Sequence, residues 1–341
     1  MRIAVDVMGG DHGPGVVVAG VKQALQARGH ERIQSLFLVG HKDELKRALA
    51  DHACSDGRIE IVHASEVLTM EDKPIAGLRK KKDCSIARAV ELVKDGKAEA
   101  IISLGNTGGI VAASVLKLRP LEGVDRPAIA TVIPSGTGRF VLLDAGANPD
   151  CKPMHLLQFA IMGSVYARAM LGVARPRVGI LSNGTEEIKG TDLTREALKL
   201  CQQVDLNFIG YVEGRDLFND AVDVAVTDGF VGNIVLKTCE GMGKTILGIL
   251  KRELMANPLR QFGATLARGG FRSLKKTMDP DEYGGAPLLG LNGNVIKIHG
   301  SGRERVVANA LRQTVEAVAH RVPQIICEEI TRANERLAVP A

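Results

Sequence analysis

Short apolar runs rich in Ile and Val alternate with stretches of helical period through most of this chain. Strand patterns fall at 2–7, 35–40, Ile59–His63, Ala98–Leu104, Ala128–Ile133, Arg139–Asp144, Arg177–Ser182, Asn207–Tyr211, Asp223–Thr227 and Val295–His299. Helical patterns fall at 14–28, 42–51, 84–95, 107–118, 154–171, 191–203, Gly232–Leu254 and 302–321, the last continuing toward 335. Strands that are apolar at nearly every position are buried on both faces, and strands separated by helices pair in parallel. The pattern predicts an α/β fold with a mainly parallel sheet between helices, which binds ligands past the carboxyl ends of its strands.

No internal repeat and no Ser- or Pro-rich linker divides the 341 residues, a length that suits one large or two closely joined lobes. Only 256–290 breaks the rhythm. Aromatic residues make up 3% with no Trp, so the core is aliphatic and the composition argues against stacking on bases as a binding mode. A net charge of +5 favours acidic partners and falls short of a nucleic-acid protein. Cys54, Cys84, Cys151, Cys201, Cys239 and Cys327 are scattered, without metal or redox spacing. The chain enters a strand directly after Met1, which reads as no leader peptide and a reducing cytoplasmic setting. No apolar run approaches the ~20 residues a membrane span needs.

Candidate chemistry sits in loops that follow strands. After the first strand comes Asp6-Val-Met-Gly9-Gly10-Asp11-His12-Gly13-Pro14, where small residues let backbone amides approach an anion ahead of a helix. The same loop also reads as a packing turn, and His12 as a base or as a loop anchor. In Ser103-Leu-Gly105-Asn106-Thr107-Gly108-Gly109, Asn106 and Thr107 can cap the next helix while its amides face outward. Lys189 lies in Asn183-Gly184-Thr-Glu-Glu-Ile-Lys189-Gly190, past another strand end, as a cleft cation or a surface lysine. Asp228-Gly229-Phe-Val-Gly232-Asn233 follows a fourth strand and places Asn233 in the first helical turn, as a ligand or a cap. Four such loops are expected to converge on one sheet edge as a phosphate cleft.

Three patterns are set aside. Gly241-Met-Gly243-Lys244-Thr245 lacks the first glycine of a P-loop and lies inside a helix pattern. No dinucleotide fingerprint follows the first strand. Asp216 and Asp220 read as capping or solvated residues rather than metal ligands. From Lys244 to Lys276 basic residues accumulate with Glu253 as the only acid, and Leu259, Phe262, Leu266, Phe271 and Leu274 recur at roughly helical spacing. Such a piece suits anionic lipid, an acidic protein or a second copy of the chain.

Several of these motifs resemble the bacterial phosphate acyltransferases of phospholipid synthesis. The similar pieces are Asp6 to Pro14, Lys73-Pro74 with Leu78-Arg79-Lys-Lys-Lys82, Ser103 to Gly108, Leu143-Asp144-x-Gly146-Ala-Asn148, Asn183 to Gly190, and Thr227 to Asn233. Val7 stands where the family usually has Ala. The resemblance implies a Rossmann-like three-layer α/β/α fold, related to phosphotransacetylases and isocitrate-type dehydrogenases. It implies a single catalytic domain over 1–335, with a protruding helical tip within 245–285. It implies transfer of a long-chain acyl group from acyl carrier protein to inorganic phosphate, in a cytoplasmic homodimer that attaches reversibly to the inner face of the anionic cytoplasmic membrane. No cofactor, metal or nucleic acid is implied. Lys189 and Asn233 take the essential positions. Gly9, Gly10, Asp11, His12, Gly13, Gly105, Asn106, Thr107, Gly108, Asn183, Gly184, Asp228 and Gly229 surround the substrate. Arg260, Phe262, Leu266, Arg268, Phe271, Arg272, Lys275 and Lys276 face carrier or membrane. Three other readings are a phosphotransacetylase acting on acyl-CoA, a metal-dependent dehydrogenase of the related fold, and a non-catalytic carrier- or lipid-binding scaffold.

Overall fold

A computed structural model of the chain describes residues 1–27, 31–279, 282 and 284–338. In chain order its elements are β1 Arg2–Asp6, α1 Pro14–Gln26, β2 Ser35–Gly40, α2 Lys42–Asp51, β3 Ile59–His63, α3 Pro74–Lys80, α4 Ser85–Lys94, β4 Ala100–Ser103 and α5 Thr107–Lys117. Then follow β5 Ala128–Ile129, β6 Thr131–Pro134, β7 Arg139–Leu143, α6 Pro153–Leu171, β8 Val178–Leu181, α7 Asp192–Gln202, β9 Phe208–Val212 and β10 Val224–Val226. The last third holds α8 Gly229–Leu254, α9 Pro258–Leu266, α10 Arg268–Thr277, β11 Ala286–Leu289, β12 Asn294–Lys297, α11 Glu304–Ala319 and α12 Val322–Ala338. The helix expected over 14–28 ends at Gln26, and position 28 lies outside the described residues.

The strands form two sheets. The first has seven strands in the order β3-β2-β1-β4-β12-β11-β5, parallel except around β11. The second has five in the order β6-β7-β10-β8-β9, parallel except for β6. Alternate residues serve opposite faces of each sheet. In β1, Ile3 and Val5 join Val17, Val21, Val307 and Leu311 of α1 and α11, while Ala4 joins Ile86, Val90 and Ile110 of α4 and α5. Gly20 lets α1 and α11 touch, since a Cβ there would lie 2.5 Å from the Glu304 carbonyl oxygen. In the second sheet α6 is the central helix, with Phe159, Met162 and Val165 packed on Val178, Val224 and Val226.

Two expected elements are broken. The apolar run 128–133 divides at Ala130, whose N–H donates to the Pro287 carbonyl, so β5 closes the first sheet while β6 opens the second. The helix expected to run from 302 toward 335 stops at His320, and Arg321 takes a left-handed φ of 53°. That turn sends α12 over to α6, where Ile326 and Ile330 enter the second core and Glu329 pairs with Arg168. The final helix thus clamps the two lobes together.

α8 buries only Gly229 and Gly232, and α9 and α10 bury no residue. Among the described residues no helix is long and apolar enough to cross a membrane. The six cysteines are free.

Candidate active site

The carboxyl edge of the first sheet carries the loops after β1, β4 and β12. Gly9 lies against Gly105, where a Cβ would sit 2.2 Å from the Gly105 Cα. Any side chain there would part the two loops. Gly13 has φ 72° as α1 begins, a left-handed conformation that suits glycine. Gly10 lies partly exposed beside Leu104, and Asp11 and His12 are exposed. The Asp11 N–H donates to the Gly300 carbonyl at 2.9 Å, which ties this loop to the one after β12.

Asn106 is buried, and its side chain is engaged within the protein. Its Oδ1 accepts from Gly109 N at 2.9 Å and caps α5, while its Nδ2 donates to the carbonyls of Thr69, Met70 and Asp72. Thr107 is exposed as the first residue of α5, and Gly108 packs on Pro74. The cap expected at Asn106 is present, and it also holds the 69–72 loop.

Asp144 organises the second edge. This buried carboxyl accepts from five N–H groups: Ile129 N at 2.9 Å, Gly146 N and Ala147 N at 3.1 Å, Asn148 N at 2.7 Å and Asn148 Nδ2 at 2.8 Å. The loop 145–148 so fixed is the seat of α8. Gly229 N donates to the Asn148 carbonyl at 2.8 Å, and Asp228 Oδ1 caps the helix by accepting from Phe230 N and Val231 N, each at 2.9 Å. This cap starts α8 at Gly229, three residues before the expected Gly232, so Asn233 follows the first turn rather than lying in it. At Gly232 a Cβ would be 1.9 Å from the Asp144 carbonyl oxygen. We expect Gly232→Ala to lift α8 from its seat and cost about 3 kcal/mol or more of stability, measured by denaturant unfolding.

Asn233 is exposed directly above Gly146, 3.5 Å from where a Cβ of that glycine would lie. Among the described residues no hydrogen bond engages its amide. Lys189 is exposed on the loop after β8, the strand beside β10. Asn183 Oδ1 closes that loop by accepting from Gly190 N at 3.0 Å, and Gly184 is buried under the Lys189 and Glu186 side chains. Among the described residues no hydrogen bond joins Lys189 to Asn233.

The four loops therefore occupy two edges, two on each sheet, and not the one edge expected from the pattern. The edges are coupled. Ala145 N donates to the Ile129 carbonyl at 2.8 Å, and Ala145, Ala147 and Leu236 pack in the cluster that holds Ile86 and Ile110. The start of α8 thereby shares a core with the start of α5.

Sequence reading did not find Lys297. It is 9% exposed at the end of β12, and burial lowers its pKa from the usual lysine range to about 8, against the opposing pull of Asp6 and Asp11. Burial raises the pKa of Asp6, while bonds from Ser103, Ser85 and Met8 act the other way. A lysine between Ile296 and Ile298 in a short strand looks like ordinary alternation, so the signal was the neighbouring strands, which sequence does not pair.

The set-aside patterns are resolved as well. Gly241 to Thr245 lies within α8. Asp220 accepts from Thr137 N at 2.9 Å, and Asp216 from Glu213 N at 3.0 Å, as turn caps. Among the described residues no three His, Cys, Asp or Glu side chains are grouped to hold a metal.

In the tip, Asn257 caps α9 through Arg260 N, and Arg260 pairs with Glu253 at 2.8 Å, so the single acid of the segment is neutralised. Leu259 is 81% exposed and Leu266 74%, and Phe262 and Leu274 are also exposed. Arg268, Arg272, Lys275 and Lys276 lie on α10, exposed, with Phe271 half-buried.

Two coupled α/β lobes, with glycine loops at strand ends of each sheet, make up the phosphotransacetylase class of fold. A phosphotransacetylase from Streptococcus pyogenes shares it with a TM-score of 0.64 at 17% identity, over 94% of each chain. A 4-hydroxythreonine-4-phosphate dehydrogenase of Salmonella typhimurium shares it with a TM-score of 0.51 at 14% identity, over 93% of this chain and 99% of that one. The sequence goes further. Residues 1–325 match the family model described as fatty acid synthesis protein. The phosphate acyltransferase of Geotalea daltonii is 46% identical over 330 residues, covering 97% of this chain and 94% of that one. The chain belongs to the phosphate acyltransferase family, and it is an acyltransferase. The dehydrogenase and scaffold readings give way to that membership.

Proposed function

We propose that this enzyme transfers a long-chain fatty acyl group from acyl carrier protein to inorganic phosphate, giving an acyl phosphate and the free carrier thiol. A phosphate oxygen attacks the thioester carbonyl, the C–S bond breaks, and the proton of the hydrogen phosphate ends on the sulfur. Phosphate is already an anionic nucleophile, and a thiol of pKa near ~8.5 leaves without a strong acid. The reaction therefore needs positioning and a donor for the developing oxyanion. The observation that carries the reading is the Asn233 amide, presented above Gly146 by a helix seated on the 145–148 loop and engaged by no hydrogen bond among the described residues. Asn233 donates to the carbonyl oxygen. Lys189 holds phosphate or the oxyanion beside it. The amides of Gly9, Gly10 and His12 and of Asn106, Thr107 and Gly108, with the side chains of Thr107 and His12, form the anion site on the first edge, since Asp11 N, Gly13 N, Gly105 N and Gly109 N are spent on internal bonds; the 183–184 and 228–229 turns serve it from the second edge.

The exposed apolar and basic tip suits an acidic carrier and the anionic face of a membrane, with the bare flank of α8 left for a second protomer. We expect the paired change Phe262→Ser and Leu266→Ser to lower co-sedimentation with vesicles of anionic lipid several-fold.

The test is purified enzyme with palmitoyl-carrier protein, with and without inorganic phosphate. Carrier thiol is followed and acyl phosphate trapped with hydroxylamine. Phosphate-dependent release with trapped hydroxamate supports the reading. Release from acyl-CoA alone makes the enzyme a phosphotransacetylase, and inactivity with both donors sinks the proposal.

A further inference from the structure

Three neighbouring parallel strands of the first sheet end on one row. Asp6 of β1 lies opposite Ser103 of β4, and Ser103 lies opposite Lys297 of β12. Asp6 and Ser103 are fully buried, and Lys297 is nine-tenths buried. The row points to the face covered by α4 and α5, since Ala4, Ile101 and Val295, two residues back on each strand, belong to that core. Filling that space alone asks for an apolar side chain, and a lone charge there is costly.

Each of the three side chains in the row has a hydrogen-bond partner. Ser103 Oγ donates to Asp6 Oδ2 at 2.6 Å, Met8 N donates to Asp6 Oδ1 at 3.3 Å, and Ser85 at the start of α4 also bonds Asp6. The Lys297 ammonium donates to the Ile298 carbonyl and feels the charges of Asp6 and Asp11. Just ahead of α4 a further titratable group near Asp6 is Cys84, whose thiol burial pushes up and so keeps neutral. Lys297 is the cation of this cluster. Directly over the row lie the two contacting glycines: a Cβ at Gly9 or Gly105 would come within 3.1 Å or 3.0 Å of Asp6 Oδ2. The Asp11 loop closes the outer side through its bond to Gly300.

We infer that Lys297 is a positioning residue for the acyl acceptor: its buried ammonium acts through Asp6 and Asp11 to hold the 8–13 loop in the shape that receives inorganic phosphate. The inference rests on the acceptor reading above. It assigns the charge of Lys297, and not its bulk, to phosphate affinity.

Steady-state kinetics of Lys297→Met, which keeps length and removes charge, test this. We expect the KM for inorganic phosphate to rise about 10–100-fold while the KM for the acyl donor stays near wild type. The ratio of wild-type to variant kcat/KM for phosphate falls as pH passes about 8, where Lys297 loses its proton. Comparing the ratio removes phosphate's own titration. The double variant Asp6→Asn with Lys297→Met removes both charges and relieves any cost of a lone buried carboxylate. A structural role predicts that it restores the KM for phosphate, and a positioning role predicts that it does not. If Lys297→Met does not fold, the double variant carries the test. Unchanged phosphate KM in either variant, with a phosphate-dependent wild type, overturns this inference alone. A wild type that ignores phosphate overturns the acceptor reading and this inference with it.

Discussion

Asn233→Ala is expected to lower turnover about 100- to 1,000-fold while the unfolding midpoint stays near that of the parent enzyme. The two halves of this expectation have separate causes. The amide is exposed and makes no hydrogen bond among the described residues, so its removal costs none of theirs. Its place above Gly146 is set by the backbone of α8, which Asp228, Asn148 and Gly232 hold independently of the side chain. What is lost is a fixed donor to an oxygen whose charge grows in the transition state. Asn233→Asp should lose still more, because a carboxylate repels that oxygen. Lys189→Ala belongs with it but separates in the kinetics: a group on phosphate raises the phosphate KM, and a group on the oxyanion lowers kcat alone. Single-turnover release of carrier thiol measures both. A loss below about threefold in Asn233→Ala would remove this amide from the chemistry.

The second large effect is on stability. Asp144→Asn keeps the shape of a side chain that accepts five N–H bonds, and replaces one oxygen with an NH₂ group. If that NH₂ takes the Oδ2 position it faces two donors, Asn148 N, which loses its acceptor, and Asn148 Nδ2, which keeps only its bond to the Pro127 carbonyl, and the new NH₂ finds no acceptor in either. Each buried orphan costs about 1–3 kcal/mol, so a loss of about 3 kcal/mol or more is expected. Activity should fall too, since the same carboxyl seats the loop beneath Asn233 and joins it to Ile129. Chemical denaturation reads the first effect and the acyl-transfer assay the second. An unchanged midpoint would mean that the Asp144 bonds do not hold the lobes together.

The alternation of strand and helix was legible because the central parallel strands are buried on both faces and so are apolar at nearly every position, as in residues 3–5, 100–102 and Val224–Val226. Asn106 as a cap, and the Gly9 and Gly105 loops as places of close approach, were legible because few other residues do those jobs. What failed has a common origin in contacts between distant segments. Ala128–Ile133 reads as one strand because nothing in Ala-Ile-Ala-Thr-Val-Ile records that Ala130 bonds to Pro287. Strand β11 was missed because Pro287 and the flanking glycines argue against a strand, yet its neighbours supply the pairing. The break before α12 was missed because Arg321 adopts its left-handed φ without a glycine to announce it. Lys297 was missed for the same reason as β11, since its partners lie almost 200 and almost 300 residues away.

The route of the chain through the sheets has a consequence for synthesis on the ribosome. The second sheet is drawn wholly from residues 131–212 and 224–226, so its strands can pair while the rest is still being made. The first sheet cannot. Its β4 waits for β12 at Asn294–Lys297, and its β5 waits for β11 at Ala286–Leu289. Until then the nascent chain carries a bare strand edge beside β1, of the kind that pairs with other chains. The sheet whose first strands leave the ribosome earliest is therefore the last to be fully paired. A chain stopped short of residue 286 would hold all five strands of the second sheet but lack α12 on its core, and would leave the first sheet open and aggregation-prone.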